Sequence, residues 1–226
     1  MALVAGVPLV VRVLQCASKS KLLSEVIVAC DDRRIADAVE RSGGRAILTQ
    51  GNHATGSDRA AEVAAKLDCD YIVNIQGDEP FIDPQTIDRI VGLLAESGVV
   101  MSTACSPLAA DQGENPNIVK VVLNTMGDAL YFSRSRIPFQ REDDSAARLY
   151  RHIGIYGFKR DFLLKFSSLT RGPLEMAESL EQLRALEHGY KIRVAIVESD
   201  FVGIDSMDDV ARAEEIVTRQ GLKNAK

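Results

Sequence analysis

The segment Tyr71-Ile72-Val73-Asn74-Ile75-Gln76-Gly77-Asp78-Glu79-Pro80 decides how this chain folds. Its first half is apolar and β-branched without an alternating polar face, which predicts a strand buried on both sides. Asp83-Pro84 then opens a helix with an N-cap carboxylate and a first-turn proline. Ligands of open parallel sheets bind beyond the carboxyl ends of strands, so Gln76 and Asp78 are candidates for a metal and phosphate site. An ordinary polar turn is the alternative.

The size and charge of the chain limit the possible functions. Its 226 residues suit one large α/β domain. The net charge is −5 and the basic residues are dispersed, which argues against a nucleic-acid surface. A small anionic substrate remains possible where local Arg and Lys side chains or a metal ion neutralise it.

The cysteines and the N-terminus indicate a cytoplasmic protein. Cys16, Cys30, Cys69 and Cys105 form no CxxC pair, so reduced core thiols are expected rather than a zinc or redox site. The apolar residues 1–11 lack a basic leading region and are too short to span a bilayer, so we expect neither export nor a membrane anchor.

Strands and helices alternate along most of the chain, which predicts a Rossmann-like α/β fold with a mainly parallel sheet flanked by helices. Residues 174–186 are predicted to form one strong helix that ends before Gly189. Glu178 and Gln182 would then share a face, and a solvated face is the default interpretation of that pair.

Three other places carry candidate groups. Thr55 and Asp58 have capping-box spacing, while Gly56 lets a ligand approach the start of the following helix. His152 lies in a strand with two glycines and is interpreted by default as a satisfied core histidine. Asp205 stands just before a second capping box, where a site carboxylate could project.

Four motifs follow one another along the chain. They are Asn-Ile-Gln-Gly-Asp-Glu-Pro at 74–80, Tyr-Phe-Ser-Arg with Ile-Pro within 131–138, His-Ile-Gly-Ile-Tyr at 152–156 and Leu-Glu-Gln-Leu-Arg at 180–184. Together they resemble the 3-deoxy-manno-octulosonate (Kdo) cytidylyltransferase family. The resemblance runs from about Leu3 to the final helix. It implies a nucleotidyltransferase fold over residues 1–226, with sugar binding and dimerisation within about 129–190.

The resemblance also implies a reaction. The anomeric hydroxyl of Kdo would attack the α-phosphate of CTP and release pyrophosphate, giving CMP-Kdo for lipopolysaccharide synthesis. Positioning and charge neutralisation by Mg²⁺ would carry most of this catalysis. Family members are typically homodimers, and residues 131–138 are the expected contact.

The site residues that the resemblance implies fall into three groups. Asp78 and Asp205 would hold Mg²⁺, because a hard cation prefers carboxylate oxygen. Gly56, Ser57, Arg59 and Gln76 would line the cytidine pocket. The Kdo candidates are Arg136 for the sugar carboxylate and, for its hydroxyls, His152, Tyr156, Glu178 and Gln182.

One departure separates the chain from the family pattern, which begins with a strand and a loop carrying an Arg and a Gly-Lys-Pro-Leu stretch. The first residues here align with the segment after that loop, so the first strand and the triphosphate-binding Arg and Lys are expected to be missing. Two alternatives therefore stay open. One is an inactive remnant that still dimerises or binds a ligand, and the other is a cytidylyltransferase for 8-amino-Kdo or sialic acid.

Overall fold

The computed structural model describes residues 2–50, 52–141, 148–198 and Glu214. The described residues form two compact units. The first contains those of Met1–His53 and Ile75–Asp88, and the second those of Ala54–Asn74 and Arg89–Ser199.

The first unit begins with a short antiparallel hairpin. Strands β1 (Leu3–Val4) and β2 (Val7–Pro8) are joined through Ala5 and Gly6, at φ 47° and 76°. Helix α1 (Leu9–Ala17) follows directly, as Pro8 predicts. The Arg12 Nε donates to the carbonyl of Val4 at 2.8 Å, which ties the helix back to the hairpin.

A parallel pair of strands also belongs to the first unit. Strands β3 (Ile27–Cys30) and β4 (Arg45–Leu48) pair in register and are connected by helix α2 (Arg33–Arg41). Asp32 caps this helix, since its side chain accepts from the backbone N–H of Arg34 at 2.8 Å.

The second unit is built on a six-stranded sheet in the order β10-β6-β9-β7-β8, with β5 also paired to β9. The strands are β5 (Tyr71–Ile75), β6 (Met101–Pro107), β7 (Lys120–Leu123), β8 (Ala129–Ser133), β9 (Tyr150–Lys159) and β10 (Arg193–Ile196). The helices are α3 (Gly56–Ala64), α4 (Pro84–Leu94, which begins in the first unit), α5 (Arg160–Ser168), α6 (Pro173–Glu178) and α7 (Leu183–Glu187).

The sheet is mixed. Strand β10 runs parallel to β6, but β9 is antiparallel to both β6 and β7, and β7 and β8 form an antiparallel hairpin. The predicted α/β class is confirmed, while the expectation of a mainly parallel sheet overstated the parallel pairing. The short turn at residues 124–128 joins β7 directly to β8, and a short turn connects antiparallel strands only.

The core of the second unit is aromatic. Phe132, Phe158 and Phe166 are fully buried, and Phe158 stacks against Phe162 with ring centroids 6.4 Å apart. Burying such side chains removes the largest apolar areas that a chain of this composition offers. This core fixes β9, which carries His152 and Tyr156, and β8, which ends three residues before Arg136.

The helix predicted over residues 174–186 is wrong. Helix α6 ends at Glu178, Ser179 adopts a left-handed conformation with φ 54°, and α7 begins only at Leu183. The Leu180 N–H donates to the carbonyl of Glu175 at 3.2 Å and closes the end of α6. Glu178 and Gln182 therefore do not share a helical face.

Two further expectations concern the C-terminal segment and the membrane. The capping box at residues 206–209 and Asp205 lie outside the described residues. Among the described residues, no helix has the length and apolar character needed to cross a bilayer.

Candidate functional site

The turn after β5 places Gln76 and Asp78 in the first unit. The Glu79 N–H donates to the carbonyl of Gln76 at 3.3 Å, so the chain turns sharply where the strand ends. Asp78 is half-buried in this turn. The Cys16 thiol donates to the carbonyl of Pro80 at 3.3 Å and anchors the turn to α1. The turn therefore holds a carboxylate at the carboxyl end of a strand, as predicted.

The start of α3 is fixed by side chains from far along the sequence. Thr55 Oγ1 accepts from the N–H of Asp58 at 3.2 Å, which confirms the predicted cap. The buried Ser57 hydroxyl donates to Glu181 Oε1 at 2.9 Å and accepts from Asn74 Nδ2 at 3.1 Å. The Ser57 N–H also reaches Glu181 Oε2 at 3.3 Å. The nucleotide candidates of this loop are thus held against the segment that carries Gln182.

Glu181 is the residue that sequence reasoning missed. Burial raises the pKa of its carboxyl, while hydrogen bonds from Thr55 and Ser57 lower that pKa. The signal was present, because Glu181 belongs to the Leu-Glu-Gln-Leu-Arg motif. Its partner lies 124 residues away, a separation that the sequence alone does not reveal.

Arg184 forms a second link within the same unit. It is 2% exposed, and its guanidinium contacts Glu175 Oε1 at 2.7 Å and Asp58 Oδ1 at 3.1 Å. Its Nε donates to Glu175 Oε2 at 2.9 Å, and its Cζ lies 4.7 Å from the centre of the Phe166 ring. This bidentate pair anchors the first turn of α3 to α6 and α7.

His152, Tyr156 and Gln182 are buried side chains that contact one another in series through Tyr156. The Tyr156 hydroxyl donates to Gln182 Oε1 at 3.0 Å, and the His152 and Tyr156 ring centroids are 5.5 Å apart. Gln182 is 1% exposed, and its Nε2 has no hydrogen-bond partner among the residues that the structure describes. An amide donor buried without a partner is costly, so a ligand oxygen is its natural acceptor.

His152 also has a structural partner. Its Nε2 lies 2.9 Å from Thr103 Oγ1, and burial lowers the pKa of the imidazole from 6.5 to about 3. The ring is therefore neutral near pH 7, so it can make hydrogen bonds but does not carry charge there.

The side chains of Glu178 and Arg136 already form hydrogen bonds or ion pairs with other residues of the protein. Glu178 accepts from the Ser133 hydroxyl at 2.6 Å and from the N–H of Arg134 at 2.9 Å. Arg136 donates to Gln140 Oε1 at 2.7 Å and lies 3.4 Å from a carboxylate oxygen of Glu114. Glu178 is the last residue of α6 and bonds to the end of β8, whereas Arg136 follows β8 in the chain.

The second unit thus brings together Ser57, Tyr156, His152 and Gln182 through direct contacts or one shared neighbour. Gln76 and Asp78 belong to the first unit, and Asp205 lies outside the described residues. Within the described ranges, no cluster of three or more His, Cys, Asp or Glu side chains suits a metal ion.

Comparison with known proteins gives a consistent result. The model of the cytidylyltransferase family matches residues 1–192. The 3-deoxy-manno-octulosonate cytidylyltransferase of Myxococcus xanthus (strain DK1622) is 46% identical over 222 residues, covering 98% of this chain and 90% of that protein. The enzyme of the same name from Anaeromyxobacter sp. (strain K) is 48% identical over 215 residues, covering 94% of this chain and 88% of that protein.

Solved structures agree with these relatives. A CMP:2-keto-3-deoxy-manno-octonic acid synthetase complexed with CTP superposes with a TM-score of 0.92 at 37% identity, covering 97% of this chain and 91% of that one. The 4-diphosphocytidyl-2C-methyl-D-erythritol synthase of Anaerococcus prevotii has a TM-score of 0.65 at 16% identity, and this likeness shows a shared fold only.

Proposed function

The chain belongs to the 3-deoxy-manno-octulosonate cytidylyltransferase family, and from this premise we propose how its own residues serve the reaction. It is a nucleotidyltransferase that converts CTP and Kdo to CMP-Kdo and pyrophosphate. The relatives do not favour the remnant, 8-amino-Kdo or sialic acid alternatives. Supply of activated Kdo for lipopolysaccharide is the proposed use of the product.

The observation that supports sugar binding most directly is the buried Gln182 Nε2, which has no hydrogen-bond partner among the described residues. In this proposal Gln182 Nε2 donates to a Kdo hydroxyl oxygen, while Tyr156 holds the other end of the amide in place. His152 packs against Tyr156 and offers a neutral ring, so it orients the pocket and does not act as a base near pH 7.

The remaining sugar and nucleotide roles follow the motif positions. Arg136 is proposed to exchange its contact with Gln140 for the Kdo carboxylate, which a guanidinium binds in a bidentate manner. Glu178 acts through the backbone of Arg134, since both of its oxygens already accept hydrogen bonds. Gly56, Ser57, Arg59 and Gln76 are proposed for cytidine, with Ser57 shaping the loop through Glu181.

We propose Asp78 and Asp205 as the Mg²⁺ ligands. The half-buried Asp78 carboxylate at the end of a strand suits a hard cation that prefers oxygen and keeps several waters. When bound, Mg²⁺ would neutralise charge on the phosphate oxygens. Asp78 must therefore present an ionised carboxylate, which the sharp turn between Gln76 and Pro80 holds in position.

A homodimer is proposed on the basis of exposed apolar side chains. Leu130 on β8 is 60% exposed, Met126 in the preceding turn is 63% exposed, and Phe139 is 87% exposed. Among the strands that the structure describes, β8 is the terminal one of the sheet, and edge strands favour pairing with another chain. Sedimentation velocity would show a single species of twice the chain mass.

A cytoplasmic location is proposed because all four cysteines are free, which suits a compartment that keeps thiols reduced. The experiment that tests the function is pyrophosphate release from CTP by the 226-residue chain, with and without Kdo and Mg²⁺, with CMP-Kdo identified by mass spectrometry. Release that requires both Kdo and Mg²⁺ supports the proposal. Release without Kdo, or none at all, contradicts it.

The metal assignment has its own prediction. Asp78→Asn should preserve the fold but lower kcat by about 100-fold or more, because an amide is a poor ligand for a hard cation. Gly77→Ala is the matched control, since a Cβ at Gly77 would meet no atom within 4 Å. Steady-state kinetics of both variants decide the matter, and near wild-type turnover of Asp78→Asn would exclude the metal role.

A further inference from the structure

Lys120 is a buried charge that no role above explains. It begins β7 and is 0% exposed. Its Nζ donates to the carbonyl oxygens of Asn115 at 2.9 Å, Ile118 at 2.7 Å and Arg134. An ammonium group has three N–H donors, so all of them are used by main-chain carbonyls.

Those carbonyls belong to two separate segments. Asn115 and Ile118 lie in the loop that precedes β7, whereas Arg134 directly follows β8. The same two segments meet again through Arg134 Nη1, which donates to the carbonyl of Pro116 at 3.2 Å. Lys120 therefore ties residues 115–118 to the end of β8.

The loop before β7 also contacts the second arginine that follows β8, through residues that precede Asn115. Arg136 Nη1 approaches the carbonyl of Ala110 and a carboxylate oxygen of Glu114, each at 3.4 Å. Arg134 is held on its other side by Glu178, through its backbone N–H and its Nε. Both guanidinium groups therefore contact the loop before β7, the same loop that Lys120 joins to the end of β8.

Stability alone is a weak explanation for this arrangement. No carboxylate lies within ion-pair distance of Lys120 among the described residues, and Glu114 and Glu178 act on its charge only from farther away. Burying a charge costs desolvation free energy, and apolar side chains of similar volume often replace buried ion pairs without loss of stability. What an apolar side chain cannot do is hold three carbonyls of two segments at one point.

We propose that Lys120 is a positioning residue for the sugar acid. It positions the arginines by holding residues 115–118 against the segment Arg134–Arg136, which follows β8. The inference rests on the proposed function. Lys120 itself touches no substrate. It sets the place from which a guanidinium reaches the carboxylate of Kdo.

The test is Lys120→Met, which keeps the length of the side chain and removes its donors. We expect KM for Kdo to rise by about 10-fold or more, with kcat within about threefold and KM for CTP within about twofold of wild type, because only ground-state binding of the sugar is lost. A purely structural role would lower the active fraction and leave both KM values unchanged. Lys66→Met, at a side chain 58% exposed, is the control and should match wild type.

The outcomes separate this inference from the function itself. A wild-type chain without Kdo-dependent pyrophosphate release overturns both. An active wild type combined with an unchanged KM for Kdo in Lys120→Met, or with equal rises for Kdo and CTP, overturns the role of Lys120 only. If Lys120→Met does not fold, Lys120→Arg keeps the charge and donors, and its KM for Kdo must still rise selectively.

Discussion

The sequence allowed two interpretations of His152, a core histidine and a sugar ligand. The surroundings of its ring favour the neutral form under either interpretation. Its Nε2 lies 2.9 Å from the Thr103 hydroxyl, and its ring sits between Phe132 and Tyr156 at centroid distances of 4.9 and 5.5 Å. Burial lowers the pKa of the imidazole from 6.5 to about 3. Protonation of His152 is therefore linked to unfolding.

The sign of this linkage gives a prediction. Below pH 6.5 the unfolded chain takes up a proton that the folded protein refuses until about pH 3, so stability is complete above pH 6.5 and falls as pH falls towards 3. From pH 6 to pH 4 this single group should lower the free energy of unfolding by roughly 2–3 kcal/mol. His152→Asn should lack that part of the pH dependence.

Urea unfolding followed by tyrosine fluorescence measures the effect. The chain has no Trp, and all five of its tyrosines lie in the second unit: Tyr71, Tyr131, Tyr150, Tyr156 and Tyr190. The carboxylates contribute equally to the pH dependence of stability in wild type and variant. The difference between the two pH profiles therefore isolates the contribution of His152. Parallel profiles for the two proteins would show that His152 does not titrate as described.

Strand β9 and helix α4 approach each other closely at Gly157. A Cβ built on Gly157 would lie 2.4 Å from Ser102 Oγ, 2.6 Å from Ile90 Cγ2 and 3.2 Å from Leu94 Cδ1. Ser102 in turn donates to the carbonyl of Ile90 at 2.9 Å. The sequence suggested such an approach, because glycine within a strand often marks a site where another element comes near.

Gly157→Ala should therefore destabilise the second unit by about 1–3 kcal/mol, because packed cores resist an added methyl group. Gly92→Ala on α4 is the matched control. It is exposed, its Cβ would meet nothing within 4 Å, and alanine is the better helix former, so a gain of about 0.5–1 kcal/mol is expected. Opposite shifts in the urea midpoint are the expected result, and a stabilised Gly157→Ala would contradict the packing.

The failed prediction for residues 174–186 shows where helix propensity misleads. Glutamate, leucine and alanine dominate the segment, and Leu180 and Leu183 have helical spacing. The structure breaks the helix at Ser179 all the same, at a left-handed φ that glycine usually takes and serine rarely does. Contacts to distant strands determine this break, because Glu178 bonds to the end of β8. No local rule contains that information.

Across the whole molecule, the sequence predicts elements better than it predicts partners. The position of strand β5 and the cap of α3 follow from local rules, but β5 is only partly buried, with Tyr71 exposed, and not buried on both sides as predicted. The links from Glu181 to Ser57 and from Arg184 to Asp58 span 124 and 126 residues. These links form only when the sheet is assembled. Glu181 and Arg184, which look like ordinary helix residues in the sequence, therefore form the polar contacts at the start of α3.

Arg184 shows this most clearly, since a charged residue near a helix end would ordinarily be assigned to the solvent. It is 2% exposed and joins α3, α5, α6 and α7 through Asp58, the Phe166 carbonyl and Glu175. Glu175 is itself 1% exposed and also accepts from the half-exposed Arg171 at 2.9 Å. The two arginines therefore share one carboxylate but differ in burial.

This difference makes a matched pair of variants. Arg184→Met should lower the free energy of unfolding of the second unit by about 3–5 kcal/mol, because it leaves Glu175 and Asp58 without their buried counter-charge. Arg171→Met removes a partner of the same Glu175 from a side chain that is 47% exposed, so a loss below about 1 kcal/mol is expected. Tyrosine-monitored urea unfolding compares the two. Equal losses would mean that the shared carboxylate, rather than burial of Arg184, sets the stability of this network.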